Sequence, residues 1–260
     1  MPTDAVLSTG SPTVGPELAG PAPGDAPEVA RLLTGEPTAS RRRRFIIVNA
    51  CTVASLVLGV GAIFAAMAGH VPLASAMLLA CVAFDGLDGA LARRLGVSTP
   101  FGAQMDSLAD MCSFGIATPV VAYAWLAGSA PVGLVAVACG LVVVCAAIRL
   151  ARFNVSPENG HYFSGVPTTM AAAIIVATAL LQPEPRLVFA VMVGVLALAM
   201  VSTFPYFKVG QLRRVPFWLW PVGGAAAAVD APMTLSILVG AYLLSGPLLW
   251  ARQRRGITAV

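Results

Sequence analysis

From residue 45 onward the chain alternates long apolar runs with short polar breaks. The runs fall at about 45–68, 71–92, 103–128, 131–153, 166–182, 186–207, 216–229 and 233–251. A helix that crosses a bilayer needs about 20 residues, within a range of about 17–25. The pattern therefore predicts an all-α fold, a polytopic membrane helix bundle of about eight spans. The seventh run is short and interrupted by Gly223-Gly224, and six spans result if the last two runs do not cross. Residues 1 to about 26 are rich in Pro, Gly, Ala, Ser and Thr without apolar periodicity, which reads as a disordered tail. They lack the basic start and apolar core of a signal peptide. The run PEVARLLT at 27–34 reads as a short helix on the membrane surface. The expected organisation is a tail over 1–40 and one membrane domain over 41–260.

Composition agrees with the pattern. The chain is 58% hydrophobic and 11% charged, against about 25% charged in soluble domains. Neither a soluble enzyme nor a nucleic-acid-binding surface fits that balance. The five cysteines lie in apolar stretches with no CxxC pair, so they are read as packing residues rather than disulfides or zinc ligands. Placement of charge sets the topology. Arg41–Arg44 stand directly before the first run, the position of a topology anchor. With eight spans and these arginines cytoplasmic, fourteen of the fifteen Lys and Arg residues beyond residue 40 fall on or near the cytoplasmic side, Arg186 alone lying outside.

Candidate chemistry is concentrated in one window. Beyond residue 40 there are seven acidic residues, and four of them, Asp85, Asp88, Asp106 and Asp110, lie where the second run ends and the third begins. A carboxylate on a membrane helix costs about 2.5–3.5 kcal/mol near the centre, and such residues mark functional sites by default. Asp85, Asp88, Gly89 and Ala92 share one helical face, and Gly102, Asp106 and Asp110 share another. The stretch between, Arg94 to Phe101, reads as a turn, so the two helices lie antiparallel and their carboxylates converge. Four oxygen donors favour Mg²⁺, Mn²⁺ or Ca²⁺, and they suffice for two ions of the kind that clamp phosphoryl transfer. Gly89, Ala92 and Gly102 leave room for a ligand, and Arg93 and Arg94 are candidates for phosphate contact.

Read with its gaps, the window is Asp85-xx-Asp88-Gly89-xx-Ala92-Arg93-(x8)-Gly102-xxx-Asp106-xxx-Asp110. It resembles the signature of the CDP-alcohol phosphotransferase family, integral membrane enzymes of phospholipid synthesis, at all eight positions. Asn49-xx-Thr52 is similar to that family's PN-x-x-T segment, with Val48 in place of the usual proline. Arg149-Leu-Ala-Arg152-Phe-Asn154, followed by Phe163-Ser164-Gly165-Val166-Pro167-Thr168-Thr169, resembles the branch that makes phosphatidylserine. The likeness covers about residues 45 to 170.

The resemblance implies a six-helix core with additional C-terminal helices, a homodimer among membrane lipids, and transfer of a phosphatidyl group from CDP-diacylglycerol to L-serine with release of CMP. It implies Mg²⁺ or Mn²⁺, two ions, on Asp85, Asp88, Asp106 and Asp110, with Asp110 also as catalytic base. CDP-diacylglycerol would be held by Asn49, Thr52, Asp88, Gly89, Ala92, Arg93 and Gly102. Arg149, Arg152, Ser164 and Thr168 are expected to hold the acceptor or a phosphate, although snorkelling to the interface explains the two arginines as well. The alternatives are another acceptor, glycerol 3-phosphate or an inositol phosphate, and a different class altogether, a divalent-cation transporter. His70 and His161 are read as packing or loop residues, and Trp218, Trp220 and Trp250 as interfacial anchors.

Overall fold

The computed structural model describes residues 38–155, 163–206 and 230–257. Four helices are long and apolar enough to span a membrane: α1 (Ala39–Met67), α2 (Val71–Leu95), α3 (Pro100–Leu126) and α4 (Val132–Val155). After them come β1 (Phe163–Ser164), α5 (Thr168–Leu181), α6 (Arg186–Val201), β2 (Pro205–Tyr206) and α7 (Ala231–Ile257). The helix limits fall within a few residues of the apolar runs. The count of eight spans does not follow from them, because α5 and α6 are short apolar helices and the 216–229 run lies outside the described residues. The expected tail, the surface helix at 27–34, His161, Trp218 and Trp220 also lie outside them.

α1 starts earlier than its apolar run. Thr38 caps it, its hydroxyl accepting from Arg41 N, so Arg41–Arg44 fall within its first two turns. Cations there oppose the helix dipole, at about 0.3–1 kcal/mol each. The long apolar stretch behind them makes the helix regardless. Val48 sits inside this unbroken helix, so no proline-like entry point exists there.

The buried residues of α1 are Phe45, Val48, Thr52, Ser55, Gly59, Ala62 and Ala66, a repeat of alternating threes and fours. Those of α2 are Val71, Ala74, Ser75, Leu78, Cys81 and Asp88. Small side chains along both seams let two membrane helices approach closely, which is where their association energy comes from. The pair is antiparallel, as Cys81 Sγ donating to Ser55 O at 3.2 Å and Thr52 meeting Asp88 both require. Asp85 and Asp88 continue the seam that carries Leu78 and Cys81 deeper in the membrane.

The α2–α3 turn is Gly96–Thr99. Gly96 adopts a left-handed conformation at φ 63° and ends α2, Thr99 caps α3 by accepting from Gly102 N at 3.0 Å, and Pro100 takes the first turn. α3 is α-helical to Asp110, widens into a π-helix over Met111–Ala117, and returns to α over Thr118–Leu126. Pro119 accounts for the widening, since it has no N–H to offer the preceding turn. Thr118 Oγ1 donates to Ser113 O at 3.1 Å, and Ser113 Oγ donates to Ser55 O at 3.4 Å. The π segment thereby packs on α1.

α4 packs on α6, and α5 packs on α2. β1 and β2 pair antiparallel, Phe163 with Tyr206 and Ser164 with Pro205, which joins the start of α5 to the end of α6. The core centres on Leu78, Phe114, Leu126, Ile175 and Leu196. Val57, Phe64, Val137 and Leu198 are exposed on outward faces, as lipid-facing positions require. All five cysteines are unpaired thiols. Phe204 and Trp250 meet edge to face at 5.7 Å.

The α1–α3 approach is testable. A Cβ at Gly59 would lie 2.5 Å from Ser113 Oγ and 3.2 Å from Ser113 Cα, whereas one at Gly61 would meet only the flexible Met77 methyl. Gly59→Ala should cost about 1–3 kcal/mol and lower the melting temperature in detergent, while Gly61→Ala should leave it nearly unchanged. Equal melting temperatures for the two would contradict this packing.

Candidate active site

Asp85, Asp88 and Asp106 come together. One carboxylate oxygen from each lies within 4.8 Å of the others. A divalent cation with oxygens at about 2.0–2.6 Å spans oxygen pairs up to about 5 Å apart, so these donors fit one. Asp110, one turn further along α3 than Asp106, meets Asp85 within hydrogen-bond reach, carboxyl to carboxyl. The charges bearing on Asp106 are Asp85 and Asp88, and those bearing on Asp110 are Asp85, Asp106 and Asp88. Carboxylates packed this way repel unless a proton or a cation lies among them.

Two neighbours orient this cluster. Thr52 Oγ1 donates to Asp88 Oδ2 at 2.8 Å, across the α1–α2 seam, and both residues are buried. Ser107, beside Asp106, donates to Asn154 Oδ1 at 3.1 Å and ties α3 to the end of α4. The second link was not legible in the sequence, although Asn154 belongs to the RLARFN stretch that drew attention to the region.

The other expected donor-binding residues surround the same end of α1, α2 and α3. Asn49 Nδ2 donates to Phe45 O at 2.9 Å, and its Oδ1 lies 3.9 Å from where a Cβ on Gly102 would project. Gly102 thus allows α3 to pass close to α1. Gly89 leaves a space that the Arg93 guanidinium borders, with Nη1 at 3.4 Å from a Cβ placed there. Ala92 O accepts from Val97 N at 3.1 Å and closes the turn. Phe45 and Phe101 pack at 6.2 Å beside it.

The expected acceptor residues are divided. Arg149 Nη1 donates to Met200 O at 3.3 Å and Arg152 Nη1 to Val201 O at 3.0 Å, so both cap the carbonyl end of α6, where cations are favoured. These contacts add a helix-capping role to the acceptor, phosphate and interfacial readings of the two arginines. Ser164 lies in β1, paired with Pro205, and Thr168 is the buried first residue of α5. Arg186 is at the opposite end of the bundle, bonded to Trp125 O, Ser129 Oγ and Glu184. That separation matches the charge asymmetry read from the sequence.

A membrane helix bundle with clustered carboxylates on two antiparallel helices fits both readings left open by the sequence, a metal-dependent transferase and a divalent-cation transporter. The family model for CDP-alcohol phosphatidyltransferases matches residues 45–205, and the chain belongs to that family. It is 32% identical to a CDP-diacylglycerol–serine O-phosphatidyltransferase of Helicobacter pylori, over 79% of this chain and 91% of the relative. It is 36% identical to a protein of the same name from Mycobacterium leprae, over 55% of this chain and 50% of the relative. An archaetidylserine synthase of Methanothermobacter thermautotrophicus is 33% identical, over 54% of this chain and 60% of the relative. Family membership removes the transporter alternative.

The Thr52–Asp88 contact yields a sharp expectation. Hydrogen bonds to charged groups contribute about 1.5–3 kcal/mol, so Thr52→Val should slow transfer about 10- to 100-fold. Thr52→Ser keeps the donor and should stay near the parent rate. Equal activity in Thr52→Val and the parent, measured on purified protein, would show that Asp88 needs no such partner.

Proposed function

We propose that this enzyme transfers the phosphatidyl group of CDP-diacylglycerol to L-serine, giving phosphatidylserine and CMP, at the cytoplasmic face of the cell membrane. The single observation that carries the proposal is the convergence of Asp85, Asp88 and Asp106, with Asp110 beside them, at four of the eight signature positions. The acceptor rests on the relatives named for serine transfer and on the RLARFN and FSGVPTT stretches. The cytoplasmic side rests on the clustering of Arg93, Arg94, Arg149 and Arg152 at the carboxylate end, with Arg186 at the other.

In this reading the CDP-diacylglycerol headgroup lies near the small residues Gly89, Ala92 and Gly102, and its acyl chains remain in the bilayer. Mg²⁺ or Mn²⁺, two ions bound by Asp85, Asp88, Asp106 and Asp110, would supply charge neutralisation for the diphosphate and the departing CMP. Arg93, above Gly89, adds a cation for the same phosphates. A serine hydroxyl is a weak nucleophile at neutral pH and needs a base in reach. Asp110 takes the hydroxyl proton as the serine oxygen bonds to the lipid-side phosphorus. The bond from that phosphorus to the bridging oxygen breaks, and CMP leaves with the electron pair.

Metal dependence and acceptor choice are tested together. EDTA should abolish CMP release, and added Mg²⁺ or Mn²⁺ should restore it. L-serine should support turnover where glycerol 3-phosphate and inositol phosphate do not. Full activity in a metal-free preparation would refute the metal assignment, and preference for a phosphorylated alcohol would refute the acceptor.

The role of Asp110 has its own measurement. General-base assistance is worth about 10²–10⁴ in rate, so Asp110→Asn should lose that much turnover while still binding CDP-diacylglycerol. Asp85→Asn should lose donor affinity as well. Comparable loss of donor affinity in both variants would make Asp110 chiefly a ligand.

A further inference from the structure

At the carboxylate end of the bundle, α5 begins without a side-chain cap. Pro167 occupies the capping position, with neither an N–H nor a polar side chain to offer. The N–H groups of Thr168, Thr169 and Met170 therefore open the helix, Ala171 N being the first to bond back, to Pro167 O at 2.9 Å. Such a terminus carries partial positive charge and unfilled donors, the two properties that bind anions. Thr168 adds a second, independent feature. It is 5% exposed, and its Oγ1 is buried with no hydrogen-bond partner among the described residues. Helical side chains tilt towards the N-terminus, which sets this hydroxyl at the same end of α5. A buried hydroxyl left without a partner is costly, so the position is incomplete as it stands.

Its surroundings place it next to the chemistry. The loop before Thr168 is pinned to the end of α6, by Val166 N to Ala199 O at 3.1 Å and Gly165 N to Phe204 O at 3.0 Å. Gly165 has φ +80°, and a Cβ there would lie 2.5 Å from Met200 O. Arg149 donates to that same Met200 oxygen, which brings a guanidinium alongside the loop. α5 itself packs on α2, which carries Asp85 and Asp88, and on the π segment that follows Asp110. An amino-acid acceptor approaching four carboxylates must turn its own carboxylate away from them and towards a positive pole.

We infer that the N-terminus of α5, together with the Thr168 hydroxyl, receives the carboxylate of the amino-acid acceptor. This rests on the serine reading above. Arg149 sets the local field, and Arg152 holds the end of α6 in place beneath the loop. Serine would then lie with its hydroxyl towards Asp110 and its carboxylate towards α5.

The test uses the full chain in detergent–lipid micelles with CDP-diacylglycerol, and compares L-serine with serinol, which has hydroxyls and an ammonium group but no carboxylate. Thr168→Val removes the hydroxyl at nearly constant volume, and Thr168→Ser retains it. Thr168→Val should raise the KM for L-serine about 10-fold and collapse the preference for L-serine over serinol. Thr168→Ser should restore both, and CDP-diacylglycerol affinity should be the same in all three proteins. Equal losses with L-serine and serinol, or an unchanged KM for L-serine, would overturn the site. If the parent enzyme turns over L-serine normally, such a result removes only this site. If the parent does not use L-serine, the acceptor reading falls and the inference falls with it.

Discussion

Mutual repulsion among four carboxylates within an apolar bundle is the constraint from which the rest of this structure follows. Asp85 and Asp88 occupy positions of the α1–α2 seam that hold Leu78 and Cys81 a few turns deeper. Placing ionised groups there opposes helix insertion by several kcal/mol. The fold accommodates them because the seam around them is built from small residues and because the cluster lies towards one end of its helices. Thr52 supplies a donor to Asp88, and one oxygen from each of Asp85, Asp88 and Asp106 lies within 4.8 Å of the others. Such an arrangement stores a strong demand for positive charge. In the proposed reaction, metal ions would meet that demand, and the arginines at the same end would offset the negative charge of the diphosphate.

The helices that carry no aspartates position those that do. α1 contributes Thr52 and Asn49 and accepts, at Ser55 O, the hydrogen bonds of Cys81 and Ser113. The π turn after Asp110 lets α3 keep its carboxylates on one face while its deeper half packs against α1 and α4. On the far side of the bundle end, Arg149 and Arg152 satisfy the last carbonyls of α6. This contact joins the RLARFN and FSGVPTT stretches into one surface, because the glycine in the second stretch abuts a carbonyl that the first arginine binds. Two neighbouring motifs of the chain thus have a shared physical basis, the termination of a helix beside the active site.

Much of this was legible in the chain itself. A bilayer imposes one length and one polarity on every spanning segment, so apolar runs located α1 to α4 within a few residues. The carboxylate spacing was equally direct, since i, i+3 and i+4 relations within a helix are local and a turn of Gly96–Thr99 can only fold back. Arg186 stood apart from the other cations in sequence and stands apart in space. These features depend on residues near one another in the chain or on the solvent alone.

What the tertiary structure decided are relations between helices, which no local periodicity encodes. Thr52 bonds Asp88 across 36 residues, and Ser107 bonds Asn154 across 47. By sequence alone the arginines of α4 read as acceptor, phosphate or interface residues, and the packing of α4 on α6 gave them carbonyls as well. The π widening had a local signal in Pro119, but the close approach of its Ser113 to Gly59 of α1 is a relation between helices. Thr168 followed the same rule. Its residue type marks it as a helix starter, yet only packing buried its hydroxyl and left it without a partner. Sequence determined which segments enter the membrane and which groups resist it, because water and lipid act on each segment separately. Three-dimensional packing determined which of those groups meet, because side chains choose partners only after the helices have chosen theirs.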